Sequence, residues 1–137
     1  MRGPLCRPSA GTGLIVRYYS HRLPGGGSYL MVWALEENRR PELETRLFMA
    51  PYWNTYEDGR VCHGSMPVPT TVTIDNLPRW SHAFFASQFT GSNLGIQQCS
   101  HPEGFLGLWR SIVGKKTFPV EYLLPRRTLR ETLCRNR

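Results

Sequence analysis

The sequence is poor in cysteine and has no closely spaced pair of cysteines. Its 137 residues include four, which are Cys6, Cys62, Cys99 and Cys134. Secreted disulfide scaffolds are shorter and much denser in cysteine. The cysteine content therefore excludes a disulfide scaffold and predicts a protein of the reducing cytoplasm.

Long apolar runs are also missing. No window approaches the roughly 20 apolar residues that a membrane-spanning helix requires. The opening stretch "MRGPLCRPSAGTG" has no apolar centre of the kind found in secretory signal peptides. The sequence therefore predicts no membrane partner.

The residues that are present are sufficient for one hydrophobic core. Hydrophobic residues make up 40% of the chain and aromatic residues 12%, and single domains usually contain about 100–200 residues. Residues 1–27 begin and end with Pro and Gly, which predicts a flexible or partly ordered leader with at most one strand. Residues 28–137 then form the folded domain, with a basic C-terminal segment.

Positive charge is in excess, and much of it lies near the end of the chain. The formal net charge is +7, and the segment "PRRTLRETLCRNR" holds five Arg and one Glu. Such a surplus attracts nucleic acid or acidic proteins, but a solvated basic helix has the same composition. A solvated helix and a weak nucleic-acid contact through this tail both remain open.

Alternating and continuous apolar runs predict two strands. In "SYLMVWAL" (residues 28–35) both alternating sets of side chains are apolar, which is typical of a strand covered on both faces. "TRLFMAP" (residues 45–51) predicts a second strand that ends at Pro51. The polar connection "EENRRPE" between them favours an antiparallel pair.

Helical spacing appears later in the chain. Trp80, Phe84, Phe85 and Phe89 in "RWSHAFFASQF" would form one stripe of a helix, which predicts a core-facing helix over this segment. "GFLGLWRSIVG" predicts a short second helix, and "TFPVEYLLP" an extended covering segment.

The segment "APYWNTYEDGRVCHGSMPVP" (residues 50–69) concentrates the residue types that can carry chemistry. Asp58-Gly59 is a tight-turn signal, because Gly tolerates positive φ and Asp bonds its own local backbone. Cys62 follows directly and is either a buried inert thiol or an accessible nucleophile. His63 is its neighbour, but adjacent side chains in an extended segment point to opposite faces, which disfavours a Cys–His pair.

Metal and cofactor motifs are not recognisable. The spacing of Cys62-His63 and Cys99-x-His101 matches no familiar zinc site. The glycine runs "GTG" and "PGGGS" lack the Lys and the helix start of a phosphate-binding loop. We therefore expect neither a metal nor a cofactor.

The cysteine segment resembles the active-site segment of ubiquitin-conjugating enzymes. In that family His-Pro-Asn precedes a polar-Gly pair, a β-branched residue and the Cys that forms a thioester. In "YWNTYEDGRVC" the Asn at position 54 lies eight positions before Cys62, with Val61 directly before the Cys. A closer resemblance is to PRTRC system protein B, a bacterial family of the ubiquitin-conjugating-like superfamily. This segment carries it together with the stretches "RRPE", "FFASQFTGSN" and "LW…FPVEYLLP…TL". The resemblance covers about residues 28–133.

The resemblance implies roles for particular residues. Cys62 would carry the thioester, and Asn54 would support the loop or stabilise the oxyanion formed during transfer, although a turn residue that bonds local backbone is the alternative for Asn54. Tyr56, Asp58 and Gly59 would support the active-site loop. Tyr52-Trp53 replace the His-Pro of the family pattern. The family's opening helix has no clear counterpart in residues 1–27, which leaves open either a shortened member or a leader that supports conjugation poorly.

We therefore expect an α+β fold of the ubiquitin-conjugating type: an antiparallel β-meander, the active-site loop, and then helices on one face. The implied function is transfer of a ubiquitin-like protein from Cys62 to an amine, with a ThiF-like activating enzyme and that modifier as partners. Two alternatives remain open, namely an inactive binding or scaffold module of the same fold and a basic accessory protein of plasmid maintenance.

Overall fold

A computed structural model describes residues 17–22, 28–70, 73–89, 91 and 97–134, with side chains from residue 29 onward. The strands are β1 (Arg17–Arg22), β2 (Ser28–Ala34), β3 (Arg46–Met49) and β4 (Pro125–Thr128). The helices are α1 (Leu77–Ala86), α2 (Gly104–Ile112) and α3 (Leu129–Cys134), with single 3₁₀ turns at Ile74–Asn76 and Val120–Tyr122. The mixture of strands and helices confirms an α+β protein at the level of fold class.

The described strands form one antiparallel sheet in the order β1-β2-β3-β4. β2 and β3 pair with Trp33 opposite Met49, which confirms the antiparallel pair predicted on either side of the polar loop. β1 pairs along β2 from Arg17 opposite Trp33 to Arg22 opposite Ser28. This strand belongs to the segment predicted as a leader, the rest of which (residues 1–16 and 23–27) lies outside the described residues.

Both faces of β2 are covered, as its doubly apolar sequence predicts. Alternate side chains of a strand point to opposite faces. One set packs against α1 and α2 in a single buried cluster that includes Leu30, Val32, Ala34, Trp80, Phe84 and Leu108. The other set packs with β3 and α3 in a second cluster, which contains Met31, Trp33, Leu35, Leu47 and Leu129. β2 is therefore the central layer of the core.

The C-terminal segment corrects two expectations. Its first residues form the strand β4 rather than part of a helix, and α3 contributes Leu129 to the face of β2 opposite α1 and α2, so the helices do not all lie on one face. β4 is the last strand in the sheet order, and an edge strand can carry Pro and charged side chains without apolar alternation. The sequence "PRRT" therefore carries no strand pattern.

The aromatic helix is shorter than its stripe predicts. Trp80 and Phe84 are buried, but α1 ends at Ala86 and Ser87 has an extended backbone. The N–H and the Oγ of Ser87 both donate to the carbonyl of Phe84, at 3.2 and 2.6 Å. These bonds end the helix, so Phe89 packs on the core from the extended segment that follows.

Candidate functional site

Cys62 lies at the end of a short hairpin, here called the site hairpin (residues 54–62). Thr55 and Val61 form a bridge at its centre. The Tyr56 N–H donates to the Arg60 carbonyl at 2.8 Å, and the Cys62 N–H donates to the Asn54 carbonyl at 2.7 Å. Asn54 and Cys62, eight positions apart in sequence, are therefore directly opposite each other.

The Asp58-Gly59 pair forms the turn of the site hairpin, as the sequence predicts. The Gly59 N–H donates to the Tyr56 carbonyl at 3.0 Å. The Asp58 carboxylate accepts from the Arg60 N–H at 3.1 Å and from its Nε at 2.7 Å. A short polar side chain that bonds backbone two residues later is a common way to close a turn.

The site hairpin is attached to the central strand of the sheet. The Val32 N–H donates to the Gly59 carbonyl at 2.8 Å, and the Val61 N–H donates to the Leu30 carbonyl at 2.9 Å. The hairpin thus pairs with β2 at Met31, on the N-terminal side of the residues Trp33 and Ala34 that pair with β3. Backbone bonds to a buried strand give the cysteine segment a fixed position.

Gly59 is required at this attachment for two independent reasons. Its φ of +86° is in the left-handed region that favours glycine. A Cβ at this position would lie 2.4 Å from ring atoms of Trp33, far inside van der Waals contact. The turn therefore packs directly on the indole ring.

Pleating gives the site hairpin a chemical face and a buried face. Thr55 and Val61 are buried, and the residues that flank this pair point to the opposite side. That side carries Tyr56 and Cys62, both half-buried. The cysteine is thus held at the surface by two buried neighbours.

The Tyr56 hydroxyl contacts the candidate nucleophile. The pKa of Tyr56 is raised above its usual value, chiefly because its hydroxyl is hydrogen-bonded to the Cys62 side chain, and also because charge on that thiol and partial burial oppose its ionisation. A tyrosine hydroxyl is protonated near neutral pH even at its ordinary pKa, so the O–H of Tyr56 can donate to the Cys62 sulfur. The Arg60 guanidinium lies 5.9 Å from the centre of the Tyr56 ring, within cation–π range.

Asn54 is buried beside the end of α1. Its side chain is 7% exposed, and its Nδ2 donates to the Oγ of Ser87 at 3.3 Å. Its Oδ1 is also buried and has no hydrogen-bond partner within the part of the chain that the structure describes. Sequence reasoning missed Ser87, because it lies inside the segment predicted as one helix, between Phe85 and Phe89, where a serine carries no signal of a contact with a distant segment.

Tyr52 and Trp53, which replace the His-Pro of the family pattern, fix the approach to the site hairpin by aromatic packing. The buried Tyr52 ring lies 5.3 Å from the Phe84 ring, edge to face. Trp53 stacks on Phe105 of α2 at 5.1 Å. Two side-chain donors hold the backbone before Asn54: the Trp109 indole N–H bonds the Pro51 carbonyl at 3.0 Å, and the Gln98 amide bonds the Tyr52 carbonyl.

The remaining thiols and His63 differ from Cys62 in environment. Cys99 is 3% exposed and Cys134 is exposed, while Cys6 lies outside the described residues. His63 is half-buried, and this burial lowers its pKa and keeps the imidazole neutral.

Across the described ranges, His, Cys, Asp and Glu side chains do not gather in groups of three or more that could hold a metal ion. No helix in the same ranges has the length and apolar character to cross a membrane.

Comparison with known proteins identifies the family. The model of prokaryotic E2 family D matches residues 21–126, which include the whole site hairpin. The chain therefore belongs to this family of prokaryotic relatives of ubiquitin-conjugating (E2) enzymes. This membership confirms the resemblance expected from the cysteine segment and is consistent with PRTRC system protein B. Comparisons with curated proteins and with solved structures give no match.

We predict that Cys62 is alkylated faster than Cys99, because Cys62 is half-exposed and Cys99 is buried. The measurement is timed alkylation of the native protein followed by peptide mass mapping, in a Cys134→Ser background so that the exposed thiol does not consume reagent. Denatured protein, in which both thiols react, is the control. Faster labelling of Cys99 in the native protein would contradict this assignment.

We predict that Gly59→Ala destabilises the protein by about 2–4 kcal/mol, since left-handed backbone strain and overpacking against Trp33 add together. The matched control is Gly114→Ala: Gly114 has a φ of +76° but open space around its Cβ position, so only the backbone cost of about 1–2 kcal/mol is expected there. Urea unfolding of both variants gives the comparison. Equal costs would show that the Trp33 contact is unimportant.

Proposed function

We propose that this protein accepts a ubiquitin-like protein as a thioester on Cys62 from a ThiF-like activating enzyme and transfers it to an amine. The observation that carries the proposal is the arrangement of Cys62 on the site hairpin. Cys62 is half-exposed, its side chain is hydrogen-bonded to the Tyr56 hydroxyl, and Asn54 lies directly opposite it in the hairpin. Membership of an E2 family supports a conjugation-related role.

Loading is a thiol exchange. The Cys62 thiolate attacks the carbonyl carbon of the thioester on the activating enzyme, a new carbon–sulfur bond forms, and the activating enzyme's thiolate leaves and takes a proton from water. The thiolate is the nucleophilic form of cysteine. The hydrogen bond between the Tyr56 hydroxyl and the Cys62 side chain orients the sulfur for this attack.

Discharge forms an amide. The amine nitrogen attacks the thioester carbonyl carbon, and negative charge develops on the carbonyl oxygen. Collapse of this intermediate breaks the bond to Cys62, whose sulfur leaves as a thiolate, while the nitrogen gives up its proton to water. A side-chain N–H of Asn54 aimed at the developing oxyanion lowers the barrier, and the Tyr56 hydroxyl assists the departing sulfur.

An inactive binding module with the same fold is the second candidate. The observation in its favour is that Tyr52 and Trp53 replace the His-Pro of the family pattern and are held by aromatic packing. Such a module would contact the ubiquitin-like protein without forming a covalent bond to it. Absence of a thioester with every cognate partner would favour this candidate.

Charge in the C-terminal segment supports nucleic-acid binding less well. Arg126 pairs with Glu57 and Arg130 with Glu44, while the Arg127 guanidinium lies 5.3 Å from the centre of the Trp33 ring. These contacts give three of the five arginines a use within the fold, while Arg135 and Arg137 lie outside the described residues. We therefore do not include a nucleic-acid partner in the proposal.

We predict that the protein, mixed with its cognate activating enzyme, ATP and the ubiquitin-like protein, forms an adduct on Cys62 that reductant cleaves, because thiols exchange with thioesters. Cys62→Ser should give an adduct that resists reductant, since an ester exchanges slowly with thiols. Non-reducing electrophoresis with and without reductant is the measurement, and Cys134→Ser is the control that should load normally. Normal loading of Cys62→Ala would place the thioester elsewhere.

We predict that Asn54→Ala slows discharge of a preloaded thioester to an amine by about 10²–10³-fold and leaves loading largely intact. The reason is that loss of an oxyanion donor affects the aminolysis intermediate most. Single-turnover discharge to free lysine, followed by loss of the adduct, measures the rate. If Asn54 is only a turn residue, the variant and the wild type will discharge at similar rates.

A further inference from the structure

We propose that Ser87 is a positioning residue that fixes the amide orientation of Asn54 for the discharge step. The kinetic part of this inference rests on the proposed function, whereas the structural part does not. Ser87 lies outside the cysteine segment, 33 positions from Asn54, and reaches the site only because α1 ends beside it.

The direction of the hydrogen bonds determines which end of the Asn54 amide faces Ser87. The Ser87 hydroxyl donates its one proton to the Phe84 carbonyl at 2.6 Å. Towards Asn54 the same oxygen can therefore only accept, and Nδ2 of Asn54 lies 3.3 Å away. The opposite amide orientation would bring two acceptors together.

The unpartnered oxygen of Asn54 shows why such an anchor matters. Oδ1 is buried and has no hydrogen-bond partner among the described residues, which is an unfavourable state for an amide oxygen. Because Ser87 accepts from Nδ2, the amide keeps its orientation, and Nδ2 retains a second N–H, which is the donor that the proposed function assigns to the oxyanion.

Helix chemistry alone does not account for the contact. Ser111 in α2 makes the same local bond as Ser87, from its Oγ to the carbonyl three residues earlier (Leu108), at 2.7 Å. That bond requires nothing from another segment of the chain. Ser87 adds to it the contact with Asn54, so Ser111 is a matched control for the loss of a hydroxyl bonded to a helix carbonyl.

The kinetic test is a double-mutant cycle on discharge. Ser87→Ala should slow discharge by about five- to tenfold with loading unchanged, and should have no further effect in an Asn54→Ala background, because residues that act through each other are not additive. Ser87→Thr, which keeps the hydroxyl, should restore the rate, and Ser111→Ala should discharge normally. Unchanged discharge in Ser87→Ala, or equal slowing in both backgrounds, would overturn the proposal.

A second test needs no partner protein and so separates this inference from the proposed function. In amide NMR spectra, the two Nδ2 protons of Asn54, identified by their loss in Asn54→Ala, should include one that is protected from solvent exchange. Ser87→Ala should remove that protection and Ser111→Ala should not. If no Nδ2 proton is protected in the wild type, the contact between Ser87 and Asn54 is overturned, even when a variant fails to fold. If the wild type instead fails to form a thioester with the ubiquitin-like protein, only the proposed function is overturned.

Discussion

Gly59 lies against the indole ring of Trp33 so closely that no larger residue fits between them. Trp33 is in the central strand of the sheet and is fully buried, so this contact sets the distance between the turn of the site hairpin and the core. Backbone bonds on either side of Arg60 then fix the register of the hairpin on β2. The close contact between Gly59 and Trp33 therefore determines where Cys62 and Asn54 lie.

Aromatic packing provides the second support of the site. A His-Pro pair would stiffen the chain before the Asn through the fixed φ of proline. In this protein Tyr52 is instead buried among aromatic rings, and Trp53 stacks on α2. Position is thus maintained by buried ring contacts with two other segments, and the site depends on the core more than a proline-stiffened loop would.

The sequence predicts the elements whose signals are local. Both apolar faces of β2 and the Asp58-Gly59 turn can be read from short stretches, because alternation and turn chemistry depend on neighbouring residues only. The strand β4 cannot be read in this way, since its edge position removes the need for apolar side chains. The contacts of Asn54 with Ser87 and of Gly59 with Trp33 join segments that are distant in sequence, and no local pattern of residues indicates them.

The edge position of β4 also bears on association between copies of the protein. An exposed edge strand offers unpaired backbone groups to another chain, and proteins oppose this with proline and charge. β4 begins with Pro125, which has no N–H to donate, and continues with Arg126 and Arg127. A second copy that approached by this edge would meet the proline and the two charged side chains, features that disfavour edge-to-edge pairing.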